Sequence, residues 1–513
     1  MGRMSEPLNT PEADGSVQPI ESRGDNRSQR PSSEAFKAFI SSGWGPRVEL
    51  GLEAGPAAPY TASRRARLSA LFGGERLVVP AGSFKVRNND CDYQFRPHSA
   101  FAHLTGLGTE QEPDAVLVLH PVAAGAGDEG SAHRAVLYFR PLAGRETDEF
   151  YSDSRYGEFW VGARPTLEDI ETLTGIRTAH LDDLHDALTK DVGADGVKLL
   201  VVPGADEAIE SVVEEIRAAE DSGQRDELLA EALSELRLIK DAYEVDQMRQ
   251  AVNATIDGFA KVVADLPVAT RQERGERVIE GTFGAHARLE GNAVGYDTIA
   301  AAGEHATTLH WTRNDGRVRP GELVLIDAGV EVDSLYTADV TRTLPVDGQF
   351  TDVQRRIYTA VLDAADAAFR AAVPGAKFRD VHTAAMEVIA TRLGEWGVLP
   401  GTAEESLAPE GQFHRRYMVH GTSHHLGLDV HDCALARREM YLDATITPGM
   451  VFTIEPGLYF KSDDLTVPAE YRGIGVRIED DVLVTIDGNE NLSAALPRRP
   501  EAIEAWMATI RAS

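Results

Sequence analysis

Met418-Val419-His420-Gly421-Thr422-Ser423-His424-His425-Leu426-Gly427-Leu428-Asp429-Val430-His431-Asp432 places four histidines and two aspartates in fifteen residues. No other stretch of the chain is as dense in histidine. Imidazole is the commonest metal ligand and the only side chain whose unperturbed titration falls near neutral pH. Such a cluster among glycine and apolar residues therefore points to a buried reactive site. Composition leaves open which of the four histidines would act as ligands and which are hydrogen-bonded in a loop.

Outward from this cluster, four apolar runs carry an acid where a strand would bury it. Downstream, Met450-Val451-Phe452-Thr453-Ile454-Glu455-Pro456-Gly457 ends in Glu455. In Gly475-Val476-Arg477-Ile478-Glu479-Asp480-Asp481-Val482-Leu483-Val484, period-two alternation sets Gly475, Arg477 and Glu479 on one face and Val476 and Ile478 on the other. Upstream, Glu322-Leu323-Val324-Leu325-Ile326-Asp327-Ala328-Gly329 is a strand ending in a carboxylate, and Asp339 shares a face with Thr341 and Thr343. A charge at such a place is costly unless it is paired or bound to metal. A single acid of this kind reads as a structural ion pair, but four beside a histidine cluster read as shared cation binding. Carboxylates with a single imidazole form a hard, oxygen-rich site that suits Mn, Co or Zn in an open, water-bearing arrangement. Such a set is too large for one catalytic zinc and matches two bridged metals, which lower the pKa of a bridging water and polarise a carbonyl.

The remaining pattern is that of an α/β (α+β) chain. Residues 1–33, rich in Ser, Pro, Gly, Asn, Asp and Arg, cannot repay the entropy of ordering and read as a disordered tail. From 34 to 224 the apolar runs 76–80, 115–119 and 198–202 read as buried strands of an α/β domain, and 122–131 as a loop. The polar, aromatic-interleaved stretch Arg87-Asn88-Asn89-Asp90-Cys91-Asp92-Tyr93-Gln94-Phe95-Arg96-Pro97 suits a wall facing a ligand or another subunit. The second domain, 225–513, opens with a capping-box signature, Asp241 with Glu244, before Val245, Met248, Val252, Ile256, Phe259 and Val263. Thr270 with Glu273 and Thr351 with Gln354 repeat the signal for two further helices. Pro374-Gly375 stops the second of these, and Val381, Ala385, Val388, Ile389 and Leu393 describe another.

The formal charge of -31 argues against nucleic acid or an anionic membrane as partner, because no excess of Lys and Arg is available to neutralise phosphates. Two cysteines cannot make a disulfide framework. With neither a secretory signal nor a long apolar run, the expected location is the cytoplasm.

The ordered acids and histidine sit in the contexts Ile-Asp-Ala-Gly, Ala-Asp-Val-Thr-Arg-Thr, His-Gly-Thr-Ser-His, Ile-Glu-Pro-Gly-Leu-Tyr and Arg-Ile-Glu-Asp-Asp. In this the chain resembles the pita-bread dinuclear metallopeptidases (M24), and more narrowly the Xaa-Pro aminopeptidases (aminopeptidase P). The resemblance runs from about residue 35 to the carboxyl end and implies an N-terminal aminopeptidase P-like domain before a C-terminal pita-bread catalytic domain. It implies Asp327, Asp339, His424, Glu455 and Glu479 as ligands of two divalent ions, with Mn2+ expected ahead of Co2+ or Zn2+. His310 corresponds to the family histidine near the scissile bond, and His431 to the one that steadies the substrate carbonyl. The resemblance further implies Glu455 as a proton handler as well as a ligand, and His420, Tyr459 and Arg477 as parts of the substrate pocket and its support. The reaction implied is attack of a metal-bridging hydroxide on the carbonyl before a penultimate proline, in a homo-oligomer, dimer or tetramer. The alternative is a prolidase, restricted to Xaa-Pro dipeptides; the wording around His420 and the stretch from Arg87 to Pro97 favour aminopeptidase P. A metal-free creatinase-like hydrolase or a peptide-binding module on this fold would not need all the ligands.

Overall fold

In the computed structural model, the described residues are 31–47, 51–89, 91–193, 196–217 and 223–512. The tail expected over 1–33 lies outside them except for its last three residues, and Ser33 is the N-cap of a helix, Glu34–Ile40, accepting from the Phe36 amide. Packing divides the chain into a smaller unit, Met1–Gly51 with Pro141–Thr166, and a larger one, Leu52–Arg140 with Leu167–Ser513. In the smaller unit Trp44 sits edge-on to Phe150 and Phe159, and Arg47 and Arg145 both reach Glu158.

The larger unit begins with a five-stranded mixed sheet. Its strands are β1 (Glu75–Pro80), β2 (Val116–Pro121), β3 (His133–Phe139), β4 (Arg177–His180) and β5 (Lys198–Val201), in the order β4-β3-β2-β1-β5. The three strands expected from the apolar runs are β1, β2 and β5. Neither β3 nor β4 was anticipated: β4 is short and polar, whereas β3 carries the apolar run 135–139, a signal in the sequence that was passed over. Leu77, Val79, Leu117, Leu119, Leu137 and Phe139 enter one core while Val78, Val116, Val118, Leu199 and Val201 enter another. Both faces are covered, which is why the strands read as continuous apolar runs rather than alternations. Leu229, Leu233 and Leu236 of the helix α1 (Gly223–Leu236) join the first of these cores. By packing, therefore, this core reaches past the expected boundary at residue 224.

Helix α2 (Ala242–Ala269) has the expected capping box, Asp241 with Glu244, and α4 (Asp352–Ala371) has Thr351 with Gln354. The third such expectation is corrected. Thr270 ends α2, its amide bonded to the Leu266 carbonyl, and α3 (Gly275–Glu290) starts at Arg274 without a side-chain cap. Capping spacing alone does not tell which end of a helix it marks when two helices are this close in the chain. The helix α5 (Phe378–Glu395) matches the expected periodicity. These helices pack on three small antiparallel ribbons. The first ribbon is β8-β7-β6, made from β6 (Ile299–Ala302), β7 (Leu323–Ala328) and β8 (Val340–Pro345). A second pairs β9 (Val451–Ile454) with β12 (Asp480–Val484) and β13 (Asn489–Asn491), and the third pairs β10 (Gly457–Phe460) with β11 (Ile474–Arg477).

The runs 450–457 and 475–484 thus do not continue as single strands. Each breaks at its acid, Glu455 and Glu479, where pairing changes partner. The Ile478 amide bonds the Pro456 carbonyl and the Glu479 amide bonds the Thr341 carbonyl. Pro456 has no N–H to donate, so the ladder cannot pass through it. No described helix is long and apolar enough to cross a membrane.

Candidate metal centre

Strand register brings the distant acids together. Asp327 lies opposite Thr341 across β7 and β8, and Asp339 stands just before β8, its amide bonded to the Asp481 carboxylate at 3.1 Å. The histidine stretch docks beside β9, with the Thr453 amide bonded to the His424 carbonyl and the Glu455 amide to the Thr422 carbonyl. Ligand atoms of Asp339, His424 and Glu479 come within 4.8 Å of one another. His424 Nε2 stands 3.3 Å from Asp339 and 3.6 Å from Glu455. Its Nδ1 faces the His425 carbonyl at 3.1 Å, so a ring N–H donated there leaves Nε2 turned toward the acids.

Asp327 is tied differently. The Tyr296 hydroxyl lies 2.6 Å from Asp327 and 2.5 Å from Asp339, and Arg477 Nη2 donates to the other Asp327 oxygen at 2.5 Å. Thr341 donates to Glu479 at 2.6 Å and accepts from Arg477 Nε at 3.1 Å. The shared face of Asp339, Thr341 and Thr343 is therefore the face of the site, and Thr343 bonds backbone of Arg477. Tyr296 and Asp481 escaped the sequence reading. Tyr296 lies in irregular chain before β6 with no periodicity to mark it; the signal for Asp481 was the third consecutive acid in an apolar run.

The assigned acids and Tyr296 line one cavity of about 680 Å³, with Asp481 and Thr341 set back from it. His310, His420, Asp327, Asp339, His424, His431, Glu455, Arg477 and Glu479 all border it. His431 stands edge-on to His424 with ring centroids 4.4 Å apart, while His310 is exposed on the loop between β6 and β7. Tyr459 is not among the bordering side chains. Buried behind them, its hydroxyl meets His420 Nε2 at 2.8 Å and Arg477 at 3.1 Å, which makes it a support for two wall residues. Of the adjacent pair, His425 is buried and stacked on Phe378, turned away from the acids that His424 faces.

The electrostatics test whether this donor set fits divalent cations. Burial, reinforced by the neighbouring acids, raises Asp339 and lifts Glu479 well above the ordinary carboxylate range. Burial likewise pushes Glu455 up to about 7, against the pull of His424 and Arg477. Burial disfavours the charged form of His424, but Asp339 and Glu455 outweigh it and raise that ring to about 9. His420, buried near the Arg477 charge, is lowered to about 3 and stays neutral. The site gathers more acidic groups than one imidazole and one guanidinium balance, and Tyr296 has a single hydroxyl proton to offer Asp327 and Asp339. Hard oxygen donors in excess of local positive charge, with one free imidazole nitrogen, fit divalent cations of the Mn, Co or Zn type.

Residues 246–486 match the model of metallopeptidase family M24, and residues 61–200 match that of the aminopeptidase P N-terminal domain. The chain is 50% identical over 479 residues to Xaa-Pro aminopeptidase 1 of Streptomyces coelicolor, covering 93% of each. It is 33% identical over 464 residues to the Xaa-Pro aminopeptidase of Escherichia coli, covering 87% of this chain and 97% of that one. The structure of aminopeptidase P from E. coli with the inhibitor Pro-Leu superposes with a TM-score of 0.75 at 30% identity, over 90% of this chain and 100% of that one. Proline aminopeptidase P II from Yersinia pestis superposes with a TM-score of 0.74 at 33% identity, over 88% and 99%.

Proposed function

The chain belongs to the Xaa-Pro aminopeptidases of metallopeptidase family M24, and on that premise we propose that it removes the first residue from peptides whose second residue is proline. The observation that carries this reading is the single cavity on which the acids, His424, His310 and His431 converge. We assign Asp327, Asp339, His424, Glu455 and Glu479 as ligands of two divalent ions, Mn2+ in the cell. When bound, such a pair supplies Lewis acidity and acidifies a water to a nucleophile near neutral pH.

The protein's own groups do the rest. Glu455, bordering the cavity beside the other assigned ligands, would take and return the proton. His431 and His310 border the space a scissile peptide would occupy, His431 steadying its carbonyl. Arg477 holds Asp327 and Thr341 in place, and Tyr459 fixes His420 and Arg477. We assign residues 34–224 to shaping the approach and 225–513 to the chemistry, in a cytoplasmic dimer or tetramer. Light scattering and metal analysis of the purified protein check assembly and ion.

The deciding experiment compares Ala-Pro-Ala, Ala-Pro and Ala-Ala-Ala. The expected order of kcat/KM places Ala-Pro-Ala first, because a pocket shaped for a ring loses about 1–3 kcal/mol for each methylene left unfilled. Equal rates on Ala-Pro-Ala and Ala-Ala-Ala would remove the proline specificity, and turnover of Ala-Pro alone would make the protein a prolidase.

A further inference from the structure

Like His431, His310 borders the cavity with little to anchor its ring. It is exposed, and its ring makes no hydrogen bond among the described residues. Its position is therefore set by the loop that carries it, from Gly303 to the start of β7, and that loop is organised around one buried carboxylate. Glu276, in the first turn of α3, has no exposed side-chain surface. One of its oxygens accepts from the Ala302 amide at 2.8 Å and His305 Nδ1 at 2.7 Å. The other accepts from Trp311 Nε1 at 2.8 Å and the Gly316 amide at 2.6 Å. The entry, middle and exit of the loop thus converge on Glu276, and the residue it holds in the middle adjoins His310.

The surrounding packing leaves little slack. The His305 and Trp311 rings stack with centroids 3.9 Å apart, and a Cβ on Gly316 would come within 2.5 Å of the His305 ring. Asn314, with φ of 46°, adds two more ties to the strand before the loop, accepting from the Ala300 amide and donating to the Thr298 carbonyl.

We propose that Glu276 is a positioning residue for the peptidase reaction, holding the loop so that His310 faces the scissile bond. The proposal rests on the aminopeptidase reading for the role of His310, and on the four hydrogen bonds for the role of Glu276. Each carboxylate oxygen serves two N–H donors. A glutamine therefore turns its own NH2 toward one pair of donors whichever way it faces, and the loop must shift.

The test is Glu276→Gln, alone and combined with His310→Ala, in the full-length metal-loaded protein with Ala-Pro-Ala. The expected result is a kcat lower by about 10- to 100-fold, the scale of a misplacement of roughly 1 Å. KM and metal content should stay close to wild type, and the double variant should be no slower than His310→Ala alone. Trp311→Phe keeps a packed ring and removes one of the four bonds. It should give a smaller fall of the same kind, which keeps the question decidable if Glu276→Gln folds poorly. A wild-type kcat in Glu276→Gln, loss of bound metal with the activity, or a fall that multiplies onto that of His310→Ala would each overturn the proposal. The ring carbon and proton signals of His310 in isotope-labelled protein report the loop without any substrate. They should broaden or move in Glu276→Gln while those of His185, exposed on the helix Leu184–Thr189, stay put, and unchanged signals would overturn the proposal too. An inactive wild type would count against the aminopeptidase reading alone, because the ring signals still judge Glu276.

Discussion

Tyr296 shows most directly how single groups in the centre depend on one another. Its hydroxyl sits between Asp327 and Asp339, and burial with the two carboxylates pushes its own ionisation well above the ordinary tyrosine value. It therefore remains a neutral phenol whose one proton is shared between two crowded acceptors. Removing such a partner leaves a buried acceptor unsatisfied, at a cost of about 1–3 kcal/mol, more for charged groups. Tyr296→Phe is expected to lower the unfolding free energy of the chelated protein, measured by urea titration, by that amount and to lower that of the manganese-saturated protein less, because bound cations relieve the same acceptors. An equal loss in both forms would show that the hydroxyl matters for packing alone.

At the level of elements, the centre depends on β8 meeting the turn between β11 and β12 in one register. Arg342 of β8 and Asp480 of β12 are both fully buried and 2.7 Å apart. The same guanidinium donates to the carbonyls of Thr341, Glu479, Leu496 and Pro497. The bond to the Glu479 carbonyl is the closest to the chemistry, because it holds the backbone of a carboxylate assigned to metal. Removing one partner of a buried pair typically costs about 3–5 kcal/mol. Arg342→Met should lose stability on that scale in denaturant titration and weaken metal binding in calorimetry. A full loss of stability with unchanged metal affinity would mean that β8 and β12 hold the ligands independently of this tie.

Across the whole molecule, the histidine stretch is anchored to chain that precedes the catalytic helices. Asp432, next to His431, is fully buried and bonds Arg237 Nε at 2.8 Å and Lys240 Nζ at 3.2 Å. Burial alone would raise its carboxyl, but Arg237 and Lys240 outweigh burial and hold it well below its ordinary 3.8. A carboxyl with a depressed folded-state pKa contributes stability that is complete above its unfolded value and is lost as pH falls through that value towards the folded one. The chelated wild type should therefore lose denaturation midpoint below pH 3.8 more steeply than Asp432→Asn, which is less stable at neutral pH but has no proton to gain there. Parallel pH profiles for the two proteins would mean that the buried cluster does not contribute to acid lability.

Much of this was legible from the order of residues. Asp327, Asp339, Glu455 and Glu479 stand out because a charge in or beside an apolar run is costly, whereas the crowded imidazoles marked the stretch from His420 to His431 without singling out His424. The caps at Asp241 and Thr351 were equally plain, since a capping box is complete within four residues. Local pattern, however, reports which face a side chain takes and not what stands opposite. The strand breaks at Glu455 and Glu479, the bridge of Tyr296 between two acids, the place of Tyr459 behind the wall and the four donors on Glu276 each depend on chain far away in sequence. Thr270 was misread for the same reason, because the tertiary course of α2 determined which helix it ends. By itself, then, the sequence marked the four acids, through the cost of burying charge, and left the choice among the histidines to a family resemblance. The tertiary structure alone decided how they are held, because hydrogen-bond partners are chosen by strand register and packing across long separations.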